Sequence, residues 1–384
     1  MKTILLRLTK HSLLLRILYF LVNGLFILKY VSRTNINPYL SLVLYILIVL
    51  FIYVFYEYLF IKNIPQNKIK IRFWVLLILI CVAVLTIQFT INPFTLQIDR
   101  WSAINNFIRN LFNGEYPYAA RTHMGGYSSP FPVWQVFHIP FYLLGNVALG
   151  MLFSILLTAI LLLRLFKSYQ KAFAFFLFLV LSPAFWYEVA VRSDIFYNFL
   201  LCFLAIAIIY KEKYTIQNQA FGLGILCGLF LSTRFSVVVP FAIILLPDFF
   251  RSDIKQKTVF AFISIFTFVI SFLPFVFWNY NTLFFFKYNP FVLQTRQGSM
   301  IEIILIACLV IFLSMRWKDD FKKCSTYISL TFIILVILTF LHKMILYKFK
   351  VSLFDSAYDI SYFNMALPFI IYSLSIESFS QKPN

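Results

Sequence analysis

The sequence predicts an all-α fold, a polytopic transmembrane helical bundle with an amphipathic helix in its first large external loop. Three observations carry that prediction. Of 384 residues, 62% are hydrophobic and only 12% are charged, about half the charged share of a soluble chain. The apolar residues fall in runs of the length a helix needs to cross a bilayer, roughly 20 residues. The net charge of +19 concentrates between those runs, where basic loops hold a membrane topology. The same figures exclude a soluble globular domain, a disordered chain and a disulfide-stapled secreted module. The basic excess is read as topological rather than as a surface for nucleic acid, and the partner it implies is a lipid bilayer.

Apolar runs occur near 13–31, 39–61, 73–92, 146–166, 172–187, 194–210, 258–280, 300–315, 325–342 and 361–377. The first is read as a span, because no small-residue cleavage site follows it. The stretch 219–249 breaks at Ser232-Thr233-Arg234 and reads as a helical hairpin with a polar tip. The stretch 130–145 carries Pro130, Pro132, His138 and Pro140 and reads as an interfacial or half-inserted helix. Together these pieces make about 11–13 membrane helices in a single integral membrane domain, 1–384. With a cytoplasmic N-terminus, loops 2–10, 62–72, 164–171, 211–213, 251–257, 316–323 and the tail carry the larger share of Lys and Arg. Lys343, Lys348 and Lys350 run against that bias. Cys81, Cys202, Cys227 and Cys308 lie in apolar runs and Cys324 beside a basic loop, none with metal-ligand spacing, so all five read as small buried apolar residues.

The polar interruption 93–130 is the most informative stretch and, in this orientation, lies outside the cytoplasm. Asp99 opens it directly after a span. Trp101, Ile104, Phe107, Ile108, Leu111 and Phe112 recur at three- and four-residue steps, the pattern of an amphipathic helix lying on a membrane surface. Asn113-Gly114 stops it. A carboxylate at a helix end on a membrane boundary suits a general base or a cation ligand, against the plainer reading of a helix-end Asp paired with Arg100 or Arg109. Asp194, with Glu188 and Arg192 just before it, opens a later span, where N-cap and functional readings coincide. Arg192 suits a phosphate or Asp194 itself. Arg234 is a charge at membrane depth, which faces a partner carboxylate or an anionic head group at the hairpin tip. Arg296 sits in another external loop. His123 and His138 lack ligand spacing and read as hydrogen-bonding residues rather than metal ligands.

These residues resemble, in order, the GT-C superfamily of integral membrane glycosyltransferases that use polyprenyl-phosphate sugars, the mannosyltransferases among them. The segment "DRWSAINNFIRNLFNGEYPYAA" is similar to the first external loop of that family, with an acidic residue, a surface helix and a "G-x-x-PY" turn at Gly114 to Tyr118. "SSPFPVWQVFHIPFYLLG" resembles the re-entry helix, "VRSDIFYNFLLC" the second acidic position, "GLGILCGLFLSTRFSVVVP" the later hairpin with Arg234 at the usual Lys, and "NPFVLQTRQG" a late external loop. The resemblance covers roughly 73–300, leaving 1–72 as an extra N-terminal helix pair and 301–384 as C-terminal helices.

The resemblance implies a multi-pass protein of a bacterial inner membrane with an extracytoplasmic active site building a cell-envelope glycan. The donor would be a polyprenyl-phosphate sugar, and the acceptor a glycan, lipid or protein hydroxyl. Asp99 would be the general base in an inverting transfer, with Asp194 as the second catalytic carboxylate. Arg192, Arg234, Arg296, Tyr118 and His123 would bind the donor phosphate and substrate. The first loop has no Asp-x-Asp pair, so no cofactor is certain and a divalent cation stays open. Competing readings are a flippase or transporter of lipid-linked glycans, a polymerase of such glycans, and a structural membrane protein. The scarcity of charges inside spans and the absence of a repeat count against transport.

Overall fold

The computed structural model describes residues 10–60, 65–296, 298–317, 319–355 and 357–377. Lys2, Arg7, Lys62, Lys318 and Lys382, counted above among the topology-setting cations, lie outside the described residues. The described chain is all-helical. It runs through α1 (Lys10–Val31), α2 (Pro38–Phe60), α3 (Gln66–Thr90), α4 (Arg100–Phe112), α5 (Pro132–Phe137), α6 (Ile139–Leu143), α7 (Leu149–Phe166), α8 (Tyr169–Val180) and α9 (Pro183–Ala190). It continues through α10 (Ile195–Lys211), α11 (Ile216–Leu231), α12 (Val238–Arg251), α13 (Ile254–Phe284), α14 (Pro290–Thr295), α15 (Met300–Ser314), α16 (Phe321–Tyr347), α17 (Phe349–Leu353) and α18 (Leu367–Glu377). Among the described residues there is no strand, only an isolated antiparallel bridge between Arg121 and Tyr127.

Among the described residues, five helices are long and apolar enough to cross a bilayer: Leu13–Val31, Gln66–Thr90, Leu149–Phe166, Ile254–Phe284 and Phe321–Tyr347. A sixth follows if α8 and α9, bent by 68° at their junction, count as one span. The chain is thus a multi-pass helical membrane protein. This is fewer than the 11–13 membrane helices expected from hydropathy. The expected span 39–61 lies partly outside the described residues, and elsewhere a proline or a short helix accounts for the difference. Pro183 cannot continue α8, since it lacks the N–H and clashes with the preceding turn. Met300–Ser314 has 15 residues, Ile216–Leu231 has 16 and Ile195–Lys211 has 17, so at about 1.5 Å per residue each falls short of a hydrocarbon core of about 30 Å.

The chain divides into two compact units. The first comprises Met1–Leu85, Leu157–Glu188 and Asp320–Asn384. Its centre is α18, whose Leu367, Phe369, Ile370 and Ile371 are fully buried where the helix packs on α1, α8 and α16. Within lipid, helix association rests on close packing and interhelical hydrogen bonds rather than on the hydrophobic effect. Asn23 of α1 supplies such a bond, its buried Oδ1 accepting from Ser182 Oγ at 2.5 Å and from the Ala184 N–H at 3.2 Å.

The second unit comprises Thr86–Leu156 and Val189–Asp319 and holds every residue singled out above for chemistry. Its tightest pairing is α11 on α13. Gly224 and Gly228, spaced as small-xxx-small, let the backbones meet. A Cβ on Gly228 would lie 2.6 Å from the Ser264 carbonyl oxygen, and one on Gly224 2.9 Å from Ile263 Cβ. The hairpin expected at 219–249 forms as α11 and α12, with Ser232–Val237 as its tip. The stretch 130–145, expected to be interfacial or half-inserted, forms as the short helices α5 and α6, and its Phe131 and Val133 N–H groups donate to the Thr233 and Ser232 carbonyls of that tip, both at 3.1 Å.

The amphipathic helix forms as α4, one residue longer than its apolar period. It does not lie free on a membrane surface. Trp101, Ile104, Phe107 and Ile108 are buried, and so are the polar Ser102, Asn106 and Asn110. The apolar stripe is spent on protein packing, Phe107 meeting Tyr118 at 4.8 Å and Phe275 of α13 at 5.7 Å between ring centroids.

Candidate functional site

Asp99 and Asp194 occupy the N-caps of α4 and α10. Neither side chain caps its own helix, so both carboxylates are free to face other partners. The two helix starts are tied together at the next residues, where Arg100 Nη1 donates to Ser193 Oγ at 3.0 Å.

Asp99 is half-buried. Its Oδ2 accepts from Thr122 Oγ1 at 2.8 Å. Thr122 belongs to a tight turn in which Gly125 has φ +79°, a left-handed conformation that glycine adopts without strain. The Gly126 N–H donates to Thr122 Oγ1 at 2.9 Å and the Thr122 N–H to the Gly126 carbonyl at 2.8 Å. Gly126 abuts the carboxylate so closely that a Cβ there would stand 2.7 Å from Asp99 Oδ2. The turn thus fixes one oxygen of Asp99, while Oδ1 has no hydrogen-bond partner among the described residues. His123, on the same turn, bridges Ser102 Oγ at 2.7 Å through Nδ1 and the Leu96 carbonyl at 2.9 Å through Nε2. Since a carbonyl only accepts, Nε2 carries the proton. His123 therefore fastens the turn to the start of α4, the hydrogen-bonding role its sequence context suggests.

Asp194 is differently placed. It is 1% exposed, and its Oδ2 accepts from Arg234 Nη2 at 2.5 Å and from Trp134 Nε1 at 2.7 Å. Burial alone would raise this carboxyl, but the charges of Arg234 and Arg100 outweigh it and hold Asp194 below its ordinary value. His138 closes the cluster. Its Nδ1 donates to the Trp134 carbonyl at 2.6 Å, and its Nε2 meets Tyr197 Oη at 2.5 Å. Burial pushes His138 down to about 4, so at neutral pH it is an uncharged imidazole accepting from the tyrosine. Asp194 Oδ1, Arg234 Nε and both polar atoms of the Asn198 amide, one turn into α10, are buried without a partner.

The remaining residues separate. Arg192, in the left-handed region at φ +52°, donates to the Gln88 carbonyl and, at 2.9 Å, to the Ile91 carbonyl. It thereby satisfies acceptors at the C-terminus of α3, and its guanidinium stands 5.5 Å from the Trp101 ring centre. Tyr118 is buried between Phe107 and Phe275, its hydroxyl donating to the Pro130 carbonyl at 3.2 Å. Arg296 is exposed at the C-cap of α14. On that helix the side chain that joins the site's framework is Gln294, which donates to the Ser129 carbonyl at 2.8 Å and accepts from the Phe235 N–H at 3.1 Å.

Sequence reasoning passed over Trp134, Thr122, Gly126 and Gln294. Only Trp134 carried a signal, since a buried indole N–H requires an acceptor. For a divalent cation the donor set does not fit. Asp194 is already matched by a cation, Asp99 has a hydroxyl beside it, and among the described residues no three His, Cys, Asp or Glu are grouped to hold a metal ion.

The geometry defines a class, a multi-pass helical membrane protein with a polar centre built on two helix starts. Compared with protein-family models, with curated proteins and with solved structures, the chain has no match.

Proposed function

We propose that the chain is an integral membrane glycosyltransferase of the GT-C type. It moves a hexosyl or pentosyl group from a polyprenyl-phosphate sugar to an acceptor hydroxyl, with inversion, at the extracytoplasmic face of a bacterial inner membrane. The observation that supports this reading best is the unequal treatment of the two carboxylates at the helix starts. Asp194 is buried and neutralised by Arg234. Asp99 is half-buried and held through one oxygen by an uncharged hydroxyl, and its other oxygen has no hydrogen-bond partner among the described residues.

Asp99 Oδ1 takes the proton of the acceptor hydroxyl as that oxygen attacks the anomeric carbon. The new glycosidic bond forms on the face opposite the departing group. The anomeric C–O bond to phosphate breaks, and its electron pair leaves with the polyprenyl phosphate. Asp194, Trp134 and Arg234 act as positioning residues that hold the start of α10 against the hairpin tip.

The test is turnover of labelled polyprenyl-phosphate mannose, glucose and arabinose by the purified protein in lipid vesicles. Release of polyprenyl phosphate is expected, with Asp99→Asn lowering the rate about 10²–10⁴-fold at unchanged thermal stability. Wild-type turnover by Asp99→Asn removes Asp99 as base. Passage of an intact lipid-linked sugar across the vesicle, without cleavage, replaces the transferase by the flippase.

A further inference from the structure

Two of the three arginines expected to meet the donor phosphate are engaged inside the protein, Arg192 with backbone carbonyls and Arg234 with Asp194. The site region nevertheless carries two other exposed cations, Arg121 and Lys287, with no carboxylate partner among the described residues. Both rest on aromatic rings. Arg121 stands 5.7 Å from the Tyr127 ring centre and Lys287 5.3 Å from that of Tyr288. These two rings stack on one another at 5.6 Å with planes 13° apart. Arg121 and Tyr127 are also the bridged pair that closes the turn holding Asp99. Arg121 thus belongs to the turn that holds the proposed base, and Lys287 reaches that turn through the Tyr127–Tyr288 stack.

What adjoins them is apolar. Lys287 lies three residues past the end of α13, a candidate span, and Phe284 and Phe285 at that end are 46% and 78% exposed. Unpaired cations favour an anion and are strengthened where water is scarce. Exposed phenylalanines at a span end favour hydrocarbon. A ligand meeting both needs carries its phosphate on a lipid chain. We propose that Arg121 and Lys287, carried on the Tyr127–Tyr288 stack, bind the phosphate of a lipid phosphate whose hydrocarbon chain lies along the exposed end of α13. The inference deepens the transferase reading, in which this lipid is donor and leaving group, and it is tested without catalysis.

The experiment measures binding of polyprenyl monophosphate to the full chain in nanodiscs, with polyprenol and inorganic phosphate as competitors. Arg121→Gln with Lys287→Gln is expected to weaken binding about tenfold or more, and Arg121→Lys to retain most of it. Lys287→Gln alone changes an exposed residue outside any hydrogen bond of the fold, so a loss of binding in that variant is not a loss of folding. Unchanged binding by the double variant overturns the site. Equal competition by inorganic phosphate removes the lipid chain from it, and equal competition by polyprenol removes the phosphate. Binding that depends on Arg121 and Lys287 without any sugar turnover keeps the site and discards the transferase. Turnover with cation-independent binding does the reverse.

Discussion

Arg234 and Asp194, 40 positions apart, meet at 2.5 Å with side chains only 9% and 1% exposed. The arginine that interrupts the apolar run 219–249 is thereby explained as one half of an ion pair. Its geometry pins the tip between α11 and α12 to the start of α10. Trp134 shares the same carboxylate oxygen and so adds the α5 segment to the joint.

Breaking a buried pair by removing one partner leaves an uncompensated charge and costs about 3–5 kcal/mol. Arg234→Ala is therefore expected to lower the unfolding midpoint in detergent sharply and to reduce accumulation in membranes. Arg234→Gln combined with Asp194→Asn should recover most of the loss, because no lone charge remains buried. Equal stability of the single and double variants contradicts this account.

Gly126 and Gly125 separate contact from backbone strain. Gly126→Ala places a methyl 2.7 Å from Asp99 Oδ2, which has to shift. A cost of about 1–3 kcal/mol is expected, with sugar turnover falling at least tenfold if Asp99 is the base. Gly125→Ala meets nothing within 4 Å but forces alanine into φ +79°, a strain of roughly 1–2 kcal/mol. Turnover measured after matching for folded protein should fall in the first variant and hold in the second.

Arg192→Gln tests whether that arginine serves the fold or a phosphate. It donates to two carbonyls at the end of α3, and leaving such acceptors unpaired costs about 1–3 kcal/mol. A lowered unfolding midpoint with unchanged lipid-phosphate affinity is expected. The opposite pattern restores Arg192 to the ligand.

Acid should weaken the second unit through His138. Its folded value is pushed from the ordinary 6.5 to about 4, so between those limits the unfolded chain binds more protons than the native one. Stability contributed by the neutral imidazole is complete above about 6.5 and is lost as pH falls toward 4. Asp194, held below its ordinary value, adds a loss only at still lower pH. Unfolding midpoints at pH 7.5 and about 4.5 should differ in the wild type, and His138→Gln should narrow that difference.

Several parts of the fold were legible in one dimension. The three- and four-residue period from Trp101 to Phe112 marks α4, and Asn113-Gly114 marks its end, with Gly114 at φ +72°. Ser232-Thr233-Arg234 marks the hairpin tip, because three consecutive polar residues within an apolar run favour a break in the helix there. Helix lengths were less legible, since hydropathy carries across breaks such as Ser182-Pro183. The environment of α4 was not legible at all. Its apolar stripe suits lipid and protein equally, and only the packing of Phe107 on Phe275 decides between them.

For the site, position in the chain identified Asp99, Asp194 and Arg234 as charges needing a reason, because a charge beside or within an apolar run is costly wherever the chain folds. Tertiary structure alone assigned the partners. Among the described residues, Asp194 is matched by Arg234 and Trp134 and Asp99 by Thr122 alone, while Arg192 turns to carbonyls and Arg121 and Lys287 have no carboxylate partner. Composition and period are properties of neighbouring residues and are written in the sequence. A hydrogen bond between residues 23, 40 or 60 positions apart depends on how helices cross, and the sequence of either partner does not contain that angle.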